Sequence, residues 1–293
     1  KNNPNAKCLY GSTPIVYVDP GIKTRILFFL EGDGVCIHKT LETSLDVCVN
    51  RSLGIWGSST KWPTFNNFYD YGMLDYNVTT NKFKDWTKVV IMGCDGGGFQ
   101  GNNGNPVKHN GSTLYFRGSV NMRAIFKWAN DTFILSSGEK IVMAGSQTGG
   151  LGVYLWIDYL KGFVSDPSKV YAIVDSAIYM IPEESDRLVD QSASVLDFMF
   201  EDESGNTTNV HAKISDSNIS GGSSITVQFL NISNADERPP NTKCVNSLSS
   251  RNEDWKCLYI GYAMNYLSSK ILWIHPQYSL LYGLNTLELT CLT

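Results

Sequence analysis

The sequence predicts an α/β fold with a mainly parallel central sheet flanked by helices. Three observations predict it. Short β-rich runs are continuously apolar rather than alternating, as expected of strands covered on both faces. Segments with helical spacing lie between them. Glycines and acidic residues gather just after the runs, where ligands collect in such sheets.

Taken in order, the strand runs are residues 25–30 (RILFFL), 88–92 (KVVIM), 140–144 (KIVMA), 169–174 (KVYAIV) and 270–274 (KILWI). Helical spacing covers 120–135, 151–163, 188–200 and 255–267. The Ser/Asn/Gly-rich stretch 205–224 reads as a solvated excursion. No internal repeat or linker divides the chain, so residues 1–293 are expected to form one domain.

Composition narrows the function classes. A net charge of −4 with 18% charged residues leaves no basic footprint for nucleic acid. No run approaches the roughly 18 apolar residues of a membrane span. The polar opening without a hydrophobic signal region reads as an already processed, mature chain. Sequons begin at Asn50, Asn77, Asn110, Asn130, Asn206, Asn218 and Asn231, which points to a secreted or cell-surface N-glycosylated chain. The cysteines Cys8, Cys36, Cys48, Cys94, Cys244, Cys257 and Cys291 show no metal spacing, so no metal or other cofactor is expected. Cys36 with Cys48 and Cys244 with Cys257 would close short local loops. Seven is an odd number, which leaves Cys291 as the natural free or intermolecular thiol.

Two glycine-rich stretches carry the candidate chemistry. Gly96, Gly98 and Gly101 satisfy the spacing of a dinucleotide fingerprint, but the polar, turn-rich GNNGNPVKHNGS that follows offers no helix start for a pyrophosphate. The stretch reads as a shaped loop. Gly145–Gly150 (GSQTGG) is more specific, because strand, Gly-x-?-x-Gly turn and helix occur in the order of a nucleophile elbow. Its tip, however, is Gln147, whose amide cannot carry covalent acyl transfer. Centring the turn on Ser146 replaces both flanking glycines with Ala144 and Thr148, and centring it on Thr148 leaves Ser146 and Gly150 at the flanks. Histidine is scarce: His38, His109, His211 and His275, the last directly after the fifth run.

The segments KCLYGSTP, LFFLEGDGVC, DWTKVVIMGCDGGGFQG, STLYFRG, KIVMAGSQTGGLGV, VYAIVDSAIYM and KILWIHPQYS occur in that order. Together they resemble the pectin acetylesterase family, which takes in plant pectin acetylesterases and the animal carboxylesterase Notum. The resemblance runs from Cys8 to about Tyr282. It implies a secreted α/β-hydrolase-like fold that removes acyl groups from a polysaccharide or a lipidated protein. It further implies a Cys8–Cys94 pair beside Cys36–Cys48. Carried across by position, the family nucleophile falls on Gln147 and the acid on Ser279 after Tyr278. The family histidine would lie near or past Thr293, as if the C-terminal segment were missing. The oxyanion turn becomes Gly32-Asp33-Gly34, where a carboxylate at Asp33 would repel developing negative charge. Asp175 matches a family aspartate and reads as pocket wall.

These departures suggest a pocket of Gly32, Asp33, Gly34, Gln147, Thr148, Asp175, His275 and Ser279 without a working triad. The expectation is therefore a pseudoenzyme, a binding or structural module of an extracellular assembly. Its partners would be glycoproteins or glycans, with a bridge through Cys291. The rival expectation is a secreted carboxylic-ester hydrolase whose nucleophile is displaced to Ser146 or Ser279, with His275 as base. Loop aromatics (Trp56, Trp62, Tyr69, Tyr71, Phe99, Tyr115) could stack on sugars, though such side chains more often pack locally.

Overall fold

A computed structural model describes residues 3–32, 34–38, 40–64, 72–76, 79–177, 195–201, 207–213, 241–248, 257 and 260–274. The strands are β1 (Val16–Asp19), β2 (Ile22–Glu31), β3 (Trp86–Met92), β4 (Val107–His109), β5 (Ser112–Leu114), β6 (Lys140–Ser146), β7 (Val170–Asp175), β8 (Val195–Glu201), β9 (Thr207–Lys213) and β10 (Lys270–Ile274). The helices are α1 (Leu41–Ser52), α2 (Gly118–Phe133), α3 (Thr148–Lys161), α4 (Thr242–Leu248) and α5 (Ile260–Ala263).

The main sheet has the order β1-β3-β2-β6-β7-β10. Every pairing in it is parallel except β1 with β3. The chain leaves β2 for β3 on one side and then crosses to β6 on the other. A topological switch point therefore lies between β2 and β6, and in open α/β sheets the crevice at such a point is where ligands bind.

The period-two geometry of β2 divides its apolar run between two cores. Ile26, Phe28 and Leu30 join Phe126, Trp156 and Ile157 of α2 and α3, while Leu27 and Phe29 face Leu74, Val90 and Val142. Helix α3 is buried on nearly all sides, as its run LGVYLWI requires. Burying the Trp156 side chain alone contributes on the order of 3 kcal/mol. The indole N–H stays satisfied, donating to the Phe99 carbonyl at 3.0 Å.

All five strands expected in the main sheet form, and α2 and α3 begin two or three residues before the expected spans. Helix α1 was not expected; it starts on a reciprocal cap, with Thr43 N–H donating to Thr40 Oγ1 at 3.1 Å and Thr40 N–H to Thr43 Oγ1 at 3.0 Å. Two expectations are corrected. Residues 188–200 were expected to be helical, yet Val195–Glu201 is a strand paired antiparallel with β9, which itself falls inside the expected excursion. A short apolar run such as VLDFMF fits either period, and pairing of the two backbones decides between them. Within 255–267 the described residues give the short α5, a following 3-10 turn at Met264–Tyr266 and a 3-10 position at Cys257, rather than one continuous helix.

The disulfides Cys8–Cys94, Cys36–Cys48 and Cys244–Cys257 all form. Cys291 lies outside the described residues. No described helix is long and apolar enough to cross a membrane.

Candidate functional site

The turns after β2 and β6 meet at the switch point. The elbow runs from β6 through Gln147 into α3, and Gln147 holds φ 51° and ψ −120°, a positive-φ conformation outside the αL well that costs a side-chain-bearing residue about 1–3 kcal/mol. The surrounding structure enforces it. Gln147 N–H donates to the Asp175 carbonyl at 2.9 Å, and its own carbonyl accepts from Leu151 N–H at 3.1 Å. Next door, Ser176 N–H donates to the Ile274 carbonyl at 2.7 Å, so β6, β7 and β10 are laced together at this edge.

Glycines let the backbones close up. A Cβ on Gly149 would overlap the Leu30 carbonyl oxygen, so any side chain there would separate α3 from β2. A Cβ on Gly32 would lie 2.5 Å from the Ser146 carbonyl oxygen and 3.4 Å from Thr148 N. The turn after β2 therefore rests directly on the elbow. Gly34 N–H donates to Thr148 Oγ1 at 2.7 Å and completes the junction.

The first-turn amides of α3 cannot be satisfied within the helix, and they stand beside the strained tip at the positive end of the helix dipole. In a nucleophile elbow the amide after the tip is one of the oxyanion donors, and the Thr148 amide holds that position in the chain here. Gln147 itself is exposed at the tip.

Of the expected pocket residues, the fold brings Gly32, Gly34, Gln147, Thr148 and Asp175 together. Asp33, His275 and Ser279 lie outside the described residues. The Thr148 side chain is buried with its oxygen taken by the Gly34 amide, which argues against it as an attacking group. Ser146 is half-buried at the last position of β6, opposite Asp175. His38 contacts Thr43 Oγ1 at 3.3 Å and His109 contacts Asp46 Oδ1 at 2.7 Å, and both serve α1 rather than the elbow.

Three residues at this edge were given no specific role from the sequence, although Asp95 and Ser176 stand directly after strand runs, where ligand-facing residues are expected. Ser176 has φ 55° and donates its hydroxyl to Asp175 Oδ1 at 2.8 Å. Arg51, from the last turn of α1, reaches the Gly34 carbonyl at 3.5 Å. Asp95 is wholly buried in the loop after β3. Burial pushes its carboxyl above the ordinary value, although the Phe99 and Gly97 amides pull the other way. An acid flanked by Gly96-Gly97-Gly98 was the available signal for Asp95, because glycines there let amides fold back onto a carboxylate.

The loop aromatics mostly pack locally. Trp62 and Phe99 are buried, and Tyr115 lies under the Lys7 ammonium at 4.4 Å. Trp56 is partly exposed, and Tyr69 and Tyr71 lie outside the described residues. Among the sequons, Asn50 and Asn110 are exposed and Asn130 is half-buried. Asn77, Asn206, Asn218 and Asn231 are outside the described residues. Among the described residues no group of three His, Cys, Asp or Glu is placed to hold a metal. A cavity of about 780 Å³ opens at the opposite end of the sheet, where Val170 and Lys270 begin their strands; Asp158, Lys161 and Lys243 help to line it. It has no part in the elbow.

Comparison with known proteins agrees with the geometry. The family description "Pectinacetylesterase" matches residues 1–291. Pectin acetylesterase 11 of Arabidopsis thaliana is 27% identical over 60% of this chain and 43% of its own length. Pectin acetylesterase 4 of the same plant is 29% identical over 58% of this chain and 40% of its own. A palmitoleoyl-protein carboxylesterase NOTUM of Schmidtea mediterranea is 29% identical over 61% of this chain and 34% of its own. The chain thus matches about two fifths of the length of the plant relatives. The solved structure of the Wnt deacylase Notum from Drosophila superposes with a TM-score of 0.66 at 16% identity, covering 94% of this chain and 70% of that one.

These matches overturn the expectation of a chain that is not an enzyme, because the relatives are named as esterases and a carboxylesterase. What survives of the Gln147 argument is narrower: an amide at the tip means only that residue 147 is not the attacking group. With the sheet order, the elbow and a match over nearly its whole length, the chain belongs to the pectinacetylesterase family.

Proposed function

We propose that this chain is a secreted carboxylic-ester hydrolase, a deacetylase or deacylase of an extracellular glycan or lipid-modified protein, whose nucleophile is not residue 147. The observation that carries the reading is the strained elbow tip held beside the first-turn amides of α3. Strain of this kind persists where function requires it. The seven sequons and the disulfides support an oxidising, extracellular setting.

In this reading a serine hydroxyl at the carboxyl edge of the sheet attacks the ester carbonyl. The candidates are Ser146, Ser176 and Ser279. Its proton passes to a base, His275 being the candidate that follows β10 in sequence. The carbonyl oxygen takes up the negative charge and is met by the amides beside the tip. Collapse expels the alcohol, which takes the proton from the base, and water then releases the acid from the acylated serine by the same steps.

The test is a chromogenic short-chain ester assay on the purified glycoprotein, paired with a fluorophosphonate probe and peptide mapping. Turnover with a single adduct on one of these serines, both lost in that serine's alanine variant, is the expected result. Absence of both turnover and adduct overturns the proposal.

A further inference from the structure

Asp95 lies at neither partner of the elbow junction, yet the loop it folds touches both. Its Oδ1 accepts the Phe99 amide at 3.1 Å and its Oδ2 the Gly97 amide at 3.2 Å. The carboxyl is seated so closely that a Cβ on Gly118 would overlap Oδ2. The backbone it shapes bends through the left-handed region at Gly96, Gly98 and Phe99, with φ of 63°, 66° and 69°. For a phenylalanine this is an uncommon conformation that needs outside enforcement.

One side of this loop holds the turn after β2. Cys36 N–H donates to the Gly96 carbonyl at 2.8 Å, and Val35 forms an antiparallel bridge with Gly97. The other side holds the start of α3. A Cβ on Gly98 would lie 2.8 Å from Leu151 Cδ2 and 3.3 Å from Thr148 Cγ2. Phe99 packs on Gly152, and its carbonyl accepts the Trp156 indole N–H. The loop is thus wedged between the turn after β2 and the first turn of α3, and a buried carboxyl that accepts from several backbone amides, Gly97 and Phe99 among them, sets its shape.

We infer that Asp95 is a positioning residue for the oxyanion hole, holding the turn after β2 and the first turn of α3 in register through the Gly96–Phe99 loop. The inference rests on the ester-hydrolase reading for its kinetic consequence, but its structural consequence can be measured alone. Asp95→Asn keeps the shape of the side chain and replaces one accepting oxygen with a donor that faces an amide N–H. Oxyanion donors act on charge that develops in the transition state, so their displacement lowers kcat and leaves KM nearly unchanged. A shift of an ångström in such a site costs up to about 100-fold in rate.

The experiment measures ester kinetics and amide hydrogen exchange on Asp95→Asn, and on Gly98→Ala, which pushes the loop off α3 without touching the carboxylate. Both variants are expected to lose about 10- to 100-fold in kcat with KM within about twofold. Exchange is expected to quicken in peptides spanning 32–36 and 146–152 as well as 94–101. An unchanged kcat in Asp95→Asn, or quickened exchange confined to 94–101, overturns the inference. Should the parent chain prove inactive on esters, the hydrolase reading fails alone and the exchange pattern still decides the role of Asp95. Should Asp95→Asn not fold, Asp95→Ser, which is smaller and keeps a single accepting oxygen, is read by the same two measurements, and an unchanged kcat or exchange confined to 94–101 overturns the inference there too.

Discussion

The amide of Gly34 donates a 2.7 Å hydrogen bond to the hydroxyl of Thr148, joining the turn after β2 to the first turn of α3. Valine copies the shape of threonine and removes the acceptor. Thr148→Val will therefore leave the Gly34 amide unsatisfied and destabilise the fold by about 1–2 kcal/mol, while Thr148→Ser will recover most of the loss. Urea midpoints of the two variants check this; equal midpoints would mean that water replaces the bond at no cost.

Gln147 holds a backbone conformation that suits a nucleophile, with a side chain that is none. Gln147→Ser puts a hydroxyl on the tip, beside the α3 amides. Turnover of a chromogenic acetyl ester should rise at least about tenfold, and a fluorophosphonate adduct should appear on residue 147. A variant no faster than its parent would show that no base faces the tip.

Lys88 is buried in β3, and its ammonium reaches Asp19 Oδ2 at 2.8 Å and the Lys84 carbonyl at 3.1 Å. Asp19 is partly exposed, which weakens the attraction and lets water compensate in part. Removing the acid alone still strands a buried charge, whereas replacing the lysine with methionine removes the charge itself. Asp19→Ala should cost about 1–3 kcal/mol and Lys88→Met less. Thermal melts in the order parent, Lys88→Met, Asp19→Ala would support this, and the reverse order of the two variants would refute it.

Burial raises the Asp95 carboxyl above its ordinary value of 3.8. Between the unfolded value and the raised folded one, the native state binds more protons than the unfolded chain. Asp95 therefore subtracts stability as pH climbs through that window and stops doing so below it. Relative to Asp95→Asn, the parent should gain stability on acidification from neutral pH toward about 4. Denaturant midpoints of both proteins across that range test the sign, and a difference that does not vary with pH would contradict it.

The fold was legible where a signal is local. Continuous apolar runs mark parallel strands whose side chains on both faces must leave water, and the five main runs all became strands of the sheet, although the fifth, β10, keeps Leu272 and Ile274 exposed instead of covered. The elbow was legible too, since strand, small-residue turn and helix follow one another along the chain. The run at 195–201 was not, because its five apolar residues in seven satisfy a helix or a strand until a partner strand supplies the backbone hydrogen bonds.

By itself the sequence determined the strands, the position of the bend, the amide at its tip and the short disulfide loops, all products of neighbouring residues and side-chain period. Only the tertiary structure decided that β6 lies beside β2, so that Gly32 and Gly34 rest against the elbow. It alone placed Arg51 and the Asp95 loop at that junction. The physical reason is separation along the chain: Gly34 and Thr148 are 114 positions apart, and strand order and close packing, which no local pattern encodes, bring them together.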